Sequence, residues 1–236
     1  MPVLTTAAAA TVAGWTFALS PYLWAPGVSS SINTRFGTLR ADASIGDVVS
    51  STNFALMGLF EARNGRWGLI ADLVYSDLTE RNDTPFGVLF SRARVDTRLT
   101  MATGYAGYRV YQDPRVAVDI LGGVRSVSMD VDVSLSPGAL PGQGLGLSDD
   151  WVDPLVGGRV RVAIDDHWFG TFLADVGGFQ GDSDSTWQAV AVLGYQFNDR
   201  WSVQGGWRQL AIDKEIEGRD TSLDLGGPLL GFSVRF

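Results

Sequence analysis

The chain has 236 residues, a net charge of −8 and no cysteine, which excludes disulfides and thiolate metal sites and argues against nucleic-acid binding. Its length suits one large all-β domain or two small ones. No stretch reaches the ~18 uninterrupted apolar residues of a membrane helix, so any segment that crosses a bilayer must be a strand.

Residues 1–14 differ from the rest of the chain because the stretch from Thr5 to Ala13 is small and rich in alanine. This composition is typical of the end of a secretory signal, although the positively charged start of such a signal is missing. We interpret residues 1–14 as a signal-peptide remnant or a disordered extension, and residues 15–236 as the folded domain.

From residue 15 onward, apolar and polar residues alternate with the period of a β-strand and not of a helix. The second and third predicted strands are short; if they form only a flap outside the barrel, the barrel has ten strands. The alternation predicts twelve strands in all: Trp15–Trp24, Val28–Phe36, Thr38–Ile45, Asn53–Arg63, Trp67–Asp77, Phe90–Tyr111, Arg115–Leu135, Trp151–Ile164, Trp168–Gln180, Thr186–Phe197, Trp201–Ile212 and Leu223–Phe236.

The connections between these strands differ at their two ends. Tight turns such as Asn64–Arg66 and Asp165–His167 lie at one end. Short periplasmic turns and longer outer loops are typical of outer-membrane barrels. We therefore predict an all-β, single antiparallel up-and-down transmembrane β-barrel of twelve strands, or alternatively ten. The longer polar loops are predicted at Gly46–Thr52, Leu78–Val88, Ser136–Asp150, with a mobile part at Gly138–Gly146, and Asp213–Ser222.

Tryptophan directly follows three of the tight turns. An indole ring favours the boundary between hydrocarbon and water, because the ring is apolar and its N–H group requires a polar partner. The predicted membrane-interface belt consists of Trp15, Trp67, Trp168, Trp201 and Phe236.

Arginine and aspartate occupy the polar positions of several strands, as expected where one face contacts lipid and the other an enclosed, wet lumen. If the lumen is open, these charges set the preference for ions or small solutes. If the arginines pair with aspartates such as Asp96, Asp119 and Asp153, they plug the interior. The predicted lumen-lining and selectivity residues are Glu61, Asp72, Arg94, Asp96, Arg98, Asp119, Arg125, Asp153, Arg159, Arg161, Asp175 and Arg208.

Few residues suggest catalysis or metal binding. The one histidine, His167, lies in a tight turn at the predicted periplasmic end, far from the outer leaflet where a lipid-modifying site would lie. The acidic residues Asp149, Asp150, Asp182 and Asp184 offer oxygen ligands to Ca²⁺, but we interpret them as solvated loop residues. We therefore predict no catalytic residue, no cofactor and no metal site.

The last predicted strand places Leu230, Phe232, Val234 and Phe236 on one face. A C-terminal amphipathic strand that ends in Phe resembles the signal by which bacterial outer-membrane barrels are recognised for insertion. With the segments Pro21–Gly27, Asn53–Gly58 and Gly65–Leu69, the chain resembles a porin-like group of small Gram-negative outer-membrane β-barrel proteins. The resemblance implies an outer-membrane location and insertion machinery that binds the Phe236 strand, and it implies no catalytic residue.

These observations predict a monomeric barrel in the lipid bilayer that acts as a narrow passive pore for small polar or charged solutes. The first alternative is a non-conducting structural or adhesive barrel whose extracellular loops bind a partner. A lipid-modifying outer-membrane enzyme is the third possibility.

Overall fold

A computed structural model describes residues 14–34, 37–83, 90–137, 141–179, 183–216 and 219–236. The predicted N-terminal extension lies outside the described residues except for Gly14, and so do Asp182 and part of the predicted Gly138–Gly146 loop.

The described residues form twelve antiparallel strands and one short helix, α1 (Ile45–Ser51). The strands are β1 (Trp15–Trp24), β2 (Gly27–Thr34), β3 (Gly37–Ala43), β4 (Thr52–Asn64), β5 (Trp67–Asp83), β6 (Phe90–Gln112), β7 (Val116–Pro137), β8 (Gln143–Ala163), β9 (Trp168–Gly177), β10 (Ser185–Gln196), β11 (Trp201–Ile216) and β12 (Arg219–Arg235).

Ten of the described strands close into a barrel, in the order β1, then β4 through β12, with β12 paired to β1. β1 pairs only with the Leu229–Arg235 part of β12, and the uncovered stretch Thr221–Gly226 pairs with β2 instead. β3 pairs with β2, so the β2–β3 hairpin extends the sheet outside the closed wall. The predicted twelve-stranded barrel is therefore wrong, and the ten-stranded alternative is confirmed.

The side chains of the last strand show which face of the wall is apolar. Leu230 is 63% exposed and Phe232 is 49% exposed, whereas their neighbours Gly231 and Ser233 are buried. A soluble barrel would bury these large apolar side chains, and a membrane barrel presents them to acyl chains. The outer surface is therefore the lipid-facing surface.

We call the strand ends at residues 65–66, 113–115, 164–167 and 197–200 the tight-turn end, and the opposite end the outer end. All five predicted belt residues lie at the tight-turn end, close to the termini. Their rings contact neighbouring aromatic side chains: Phe17 stacks on Phe236 at 5.9 Å, and Trp67 meets Tyr108 edge to face at 5.0 Å. Their role at a membrane interface stays a prediction.

The long strands reach well beyond a bilayer at the outer end. β6, β7 and β8 have 23, 22 and 21 residues, about twice the number needed to cross the hydrocarbon core. Much of the sequence expected in the loops Leu78–Val88, Ser136–Asp150 and Asp213–Ser222 therefore belongs to strands. The reason is that neighbouring strands pair along their whole length, and the glycines Gly144 and Gly146 lie within β8 opposite β7.

The predicted loop Gly46–Thr52 is mostly α1. The Ser44 hydroxyl accepts a hydrogen bond from the Asp47 backbone N–H at 3.3 Å, and the Asp47 carboxylate accepts one from the Ser44 N–H at 3.0 Å. These two bonds form a capping box, which satisfies two free backbone donors at the start of a helix.

No helix among the residues described is long and apolar enough to cross a membrane.

Candidate functional site

The lumen is filled by side chains in three layers. At the tight-turn end lies a charged cluster, which consists of Glu61, Arg63, Arg109, Asp119 and Arg159. A buried polar layer follows, and then an apolar plug toward the outer end. We define the plug by its buried residues: Trp24, Met57, Val74, Met101, Val127, Trp151, Leu210, Ile212, Leu225 and Leu229.

In the charged cluster, two carboxylates bind three arginines. Arg159 donates two hydrogen bonds of 2.8 Å to Glu61, one to each carboxylate oxygen. Asp119 accepts from Arg159 at 2.8 Å, from Arg63 at 3.0 Å and from Arg109 at 2.9 Å. Bidentate Arg–carboxylate bonds fix both partners in one orientation. The cluster therefore ties β4, β6, β7 and β8 together across the lumen.

In the polar layer, the Arg125–Asp175 ion pair is completely buried. Arg125 Nη2 donates to Asp175 Oδ1 at 2.9 Å, and both side chains are 0% exposed. Tyr105 and Gln188 donate to the other Asp175 oxygen at 2.7 Å and 3.0 Å, and Arg125 also donates to Thr186 at 3.1 Å. Because a buried ion pair survives only when hydrogen bonds satisfy its remaining atoms, these bonds lock the layer in place.

Asp72 and Arg208 form a second pair in this layer. Arg208 Nη1 lies 2.9 Å from Asp72 Oδ2 and donates to the Tyr22 hydroxyl at 2.8 Å, and the guanidinium lies 4.8 Å from the Trp24 ring centre. Tyr22 donates to Asp72 at 2.7 Å. The Nε and Nη2 atoms of Arg208 are buried and have no hydrogen-bond partner in the described part of the chain.

The apolar plug closes the outer side of the lumen. Lys214 on β11 spans the opening toward β8, with Nζ 2.8 Å from Asp149 Oδ2 and 4.5 Å from the Trp151 ring centre. Asp149, which the sequence suggested as a solvated loop residue, thus lies in β8 and forms an ion pair.

Most of the predicted lumen residues do line the lumen. Glu61, Asp119 and Arg159 meet in the charged cluster, and Asp72, Arg125, Asp175 and Arg208 meet in the polar layer. Arg161 also faces inward, with its guanidinium 4.3 Å from the Phe169 ring centre.

Asp153 is completely buried but has a different partner from the one expected. Its two carboxylate oxygens accept from the Ser183 N–H at 3.0 Å and the Ser183 hydroxyl at 2.6 Å. The expected Arg–Asp153 pairing is replaced, because Ser183 in the β9–β10 connection satisfies both carboxylate oxygens.

Arg94, Asp96 and Arg98 do not line the lumen, and this expectation is corrected. β6 pairs regularly with β7 from Arg92 to Arg109, and its buried residues Met101, Thr103 and Tyr105 have odd numbers. The even positions therefore face outward, where Arg94 and Asp96 form an exposed ion pair at 2.7 Å. The apolar positions of this strand, which we expected to face lipid, fill the interior instead.

Sequence reasoning also missed Arg63 and Arg109 in the charged cluster. Arg63 lies two positions after Glu61 and so shares its face of β4, which is the signal that identifies it. Arg109 shares the inward, odd-numbered face of β6 with Met101 and Tyr105, and it was missed because that face was assigned to lipid.

A cavity of about 150 Å³ remains inside the barrel. Much of its lining is apolar, with side chains such as Leu59, Leu173, Val190 and Val192, and it is bordered by the charged cluster and the plug residue Leu229. Its charged lining residues are Glu61, Asp72, Arg159, Arg161, Arg208 and Arg235.

His167 serves the turn between β8 and β9. Its ring Nδ1 lies 3.0 Å from the carbonyl oxygen of Gln196, and the ring stacks on Tyr195 at 5.4 Å. Asp165 accepts backbone hydrogen bonds from Trp168 at 2.7 Å and His167 at 2.8 Å, and these bonds lower the pKa of the Asp165 carboxyl. Within the described ranges, no group of three or more His, Cys, Asp or Glu side chains is placed to hold a metal ion.

Comparison with solved structures identifies the fold. The outer-membrane protease OmpT of Escherichia coli superposes with a TM-score of 0.60 at 9% identity, over 98% of this chain and 100% of that chain. Two others are more distant: Ail of Yersinia pestis (TM-score 0.39, 10% identity, 94% and 99% covered) and the translocator domain of NalP from Neisseria meningitidis (0.42, 13%, 94% and 89%).

No protein-family model matches the chain, and no curated protein matches its sequence. The superposition on OmpT shows that the chain has the fold of the Gram-negative outer-membrane β-barrels, and its apolar outer wall is that of a protein that lies in a bilayer.

Proposed function

We propose that the protein is a monomeric outer-membrane barrel whose lumen is closed to ions and solutes, and that it acts as a structural or partner-binding barrel. The observation that carries this proposal is the Arg125–Asp175 pair, which is 0% exposed and is followed by an apolar plug toward the outer end. The bilayer is its first partner, and the strand that ends at Phe236 is the segment through which insertion machinery would recognise it.

The closed lumen argues against the narrow passive pore that the sequence favoured. Ions crossing the barrel would have to separate a buried ion pair, and removing one partner of such a pair typically costs about 3–5 kcal/mol. They would then have to cross the plug, and hydrophobic constrictions block conduction because water does not wet them. Most of the charged residues that the sequence suggested as a selectivity filter instead form ion pairs that stabilise the inside of the barrel.

The part of the chain available to a partner is the outer extension of β5 to β8. This extension carries an exposed ion pair on its outer face, between Arg94 and Asp96. A wall that projects past the lipid headgroups with charges on its outer face suits contact with another macromolecule. Binding of a partner at this wall needs no open lumen.

An enzymatic role is the less favoured reading, although OmpT is a protease. The chain has one histidine, and His167 lies in a tight turn, where its ring contacts Gln196 and Tyr195. A histidine-dependent hydrolase at the outer leaflet would need this ring at the other end of the barrel. We therefore propose that the protein is not an enzyme.

Conductance of the purified barrel in planar bilayers tests the proposal. The wild-type protein should be silent, while a Trp151→Gly, Met101→Gly, Arg125→Ala, Asp175→Ala variant, which removes two large plug side chains and the buried ion pair, should show steps of current. Heat-dependent mobility on SDS gels confirms that both proteins are folded. Frequent steps from the folded wild-type protein would overturn the closed-lumen proposal.

The passive pore remains the second candidate, because the cavity of about 150 Å³ already occupies part of the lumen. In this case, transient displacement of the plug opens the path. Arg159→Gln and Arg161→Gln would then change the ion selectivity of the current. With a closed lumen, the Arg159→Gln change lowers stability because it leaves Glu61 and Asp119 without that partner.

A further inference from the structure

The lining of the lumenal cavity includes two arginines that form no ion pair within the described part of the chain. Its lining holds four arginines and two carboxylates, of which Arg159 pairs with Glu61 and Arg208 pairs with Asp72. Arg161 and Arg235 form no ion pair with any residue that the structure describes.

The neighbouring charged cluster has no spare negative charge for them. Asp119 already binds three arginines, and Glu61 binds both Arg159 and Arg63. Charges that leave water are stabilised by a counter-charge, and the two free guanidinium groups therefore favour an anion in the cavity.

Two further side chains of the lining have polar atoms without partners. Arg208 is 2% exposed and Gln188 is 3% exposed, and both border the cavity. The Nε and Nη2 atoms of Arg208 and the Oε1 atom of Gln188 make no hydrogen bond to the described residues. Buried polar groups in native proteins almost always have a partner, so these atoms mark a place for a bound polar group or water.

The size and the apolar part of the lining narrow the class of ligand. A dry apolar cavity of about 150 Å³ is large enough for benzene, and the cavity here has a volume of about 150 Å³. Leu173, Val190 and Val192 supply apolar contacts on its wall. A ligand that satisfies both features has one anionic group and a small apolar body.

We propose that this cavity binds a small organic monocarboxylate of about the size of benzoate. Its carboxylate accepts hydrogen bonds from Arg161 and Arg235, and its apolar body lies against Leu173, Val190 and Val192. β8 ends at Ala163 and β12 ends at Arg235, so both arginines lie near the tight-turn end, while the plug closes the other side. The site is therefore a dead-end pocket on the tight-turn side of the plug.

Isothermal titration calorimetry of the folded barrel in detergent tests the proposal with three probes. Sodium benzoate should bind. Benzyl alcohol keeps the ring but lacks the charge, and sodium sulfate has the charge but lacks the apolar body, so both should bind at least about tenfold more weakly. Equal binding of benzyl alcohol or of sulfate would overturn the assignment of the ligand class, and no binding of benzoate would overturn the site.

Two variants connect the binding to the arginines. Arg161→Gln and Arg235→Gln should each weaken benzoate binding about tenfold or more, because each loses a charge-assisted hydrogen bond. Arg235→Gln should not lower the melting temperature of the ligand-free barrel, since it removes an unpaired charge. Arg161→Gln also loses the contact with the Phe169 ring, so heat-dependent mobility on SDS gels checks that it is folded. Arg66→Gln, in the exposed turn between β4 and β5, is the matched control and should bind like the wild type. Unchanged benzoate affinity in both lumenal variants would contradict the proposal.

Discussion

Lys214 on β11 and Asp149 on β8 form an ion pair at the outer end of the barrel that spans the two strands between them. The Lys214 ammonium lies 2.8 Å from the Asp149 carboxylate and 4.5 Å from the Trp151 ring centre, on the edge of the apolar plug. Lys214 is also the only lysine of the chain. An amine-reactive reagent therefore reports on the environment of Lys214 with almost no signal from other side chains.

The ion pair should protect Lys214 from acylation. Its side chain is 13% exposed, so we expect slow reaction with an amine-reactive ester in the folded barrel and faster reaction in Asp149→Asn. Mass spectrometry of the Lys214 peptide measures the rate. Asp150→Asn, at the adjacent exposed position, is the control and should react like the wild type. Equal rates in all three proteins would show that the pair does not form in solution.

Replacing Arg125 by Leu should destabilise the barrel by about 3–5 kcal/mol, because the Asp175 carboxylate would stay buried without its cation. Urea unfolding in detergent, followed by tryptophan fluorescence, measures the loss. Replacing Arg125 and Asp175 together by Leu removes the unpaired charge and should recover much of the stability. A loss below about 1 kcal/mol in the single variant would contradict complete burial of the pair.

Substitution of an outward-facing valine tests whether lipid or water surrounds the wall. Val156 on β8 is 54% exposed. Val156→Arg should lower the stability in a bilayer by about 2–4 kcal/mol if the side chain faces acyl chains. The control is Asp166→Arg, in the exposed turn between β8 and β9, which should leave stability unchanged. Refolding yield and urea midpoint in lipid vesicles measure both variants, and a neutral Val156→Arg would contradict a lipid-facing wall.

The turn between β8 and β9 should weaken in acid. Hydrogen bonds from the Trp168 and His167 backbone N–H groups hold the pKa of Asp165 below its ordinary value of 3.8. A carboxyl whose pKa is lower in the folded state stabilises above the unfolded-state value, and this stabilisation is lost as the pH falls through the folded-state pKa.

Amide exchange at Trp168, measured by NMR between pH 5 and pH 2, follows this loss after correction for the intrinsic pH dependence of exchange. Protection should fall with the pH in the wild type. Asp165→Asn keeps an acceptor oxygen but does not titrate, so its protection should change far less. Parallel behaviour of the two proteins would contradict the assignment.

The wall of the barrel was predictable from sequence, because alternation is strict where one face contacts lipid. The face of Leu230, Phe232 and Val234 is one example. Where the interior is also apolar, alternation no longer distinguishes inside from outside. Met101 and Tyr105 fill the lumen, and the charged Arg94 and Arg98 on the opposite face of β6 were consequently assigned to the wrong side.

The site was predictable only in part, because its geometry depends on contacts between distant strands. The sequence identified Glu61, Asp119 and Arg159 by type and face, but nothing local indicates that Arg159 binds both carboxylates. The free charges of Arg161 and Arg235 depend on the same pairings. Only the three-dimensional arrangement shows which arginines are left over.

The divided pairing of β12 also constrains the order of assembly. Its last residues, Leu229–Arg235, pair with β1, and its earlier residues, Thr221–Gly226, pair with β2. Closure of the barrel needs only the pairing of β12 with β1. The ten-stranded barrel can therefore close before the β2–β3 hairpin pairs with β12. We expect the hairpin to dock as a late step in maturation, after the protein has entered the bilayer.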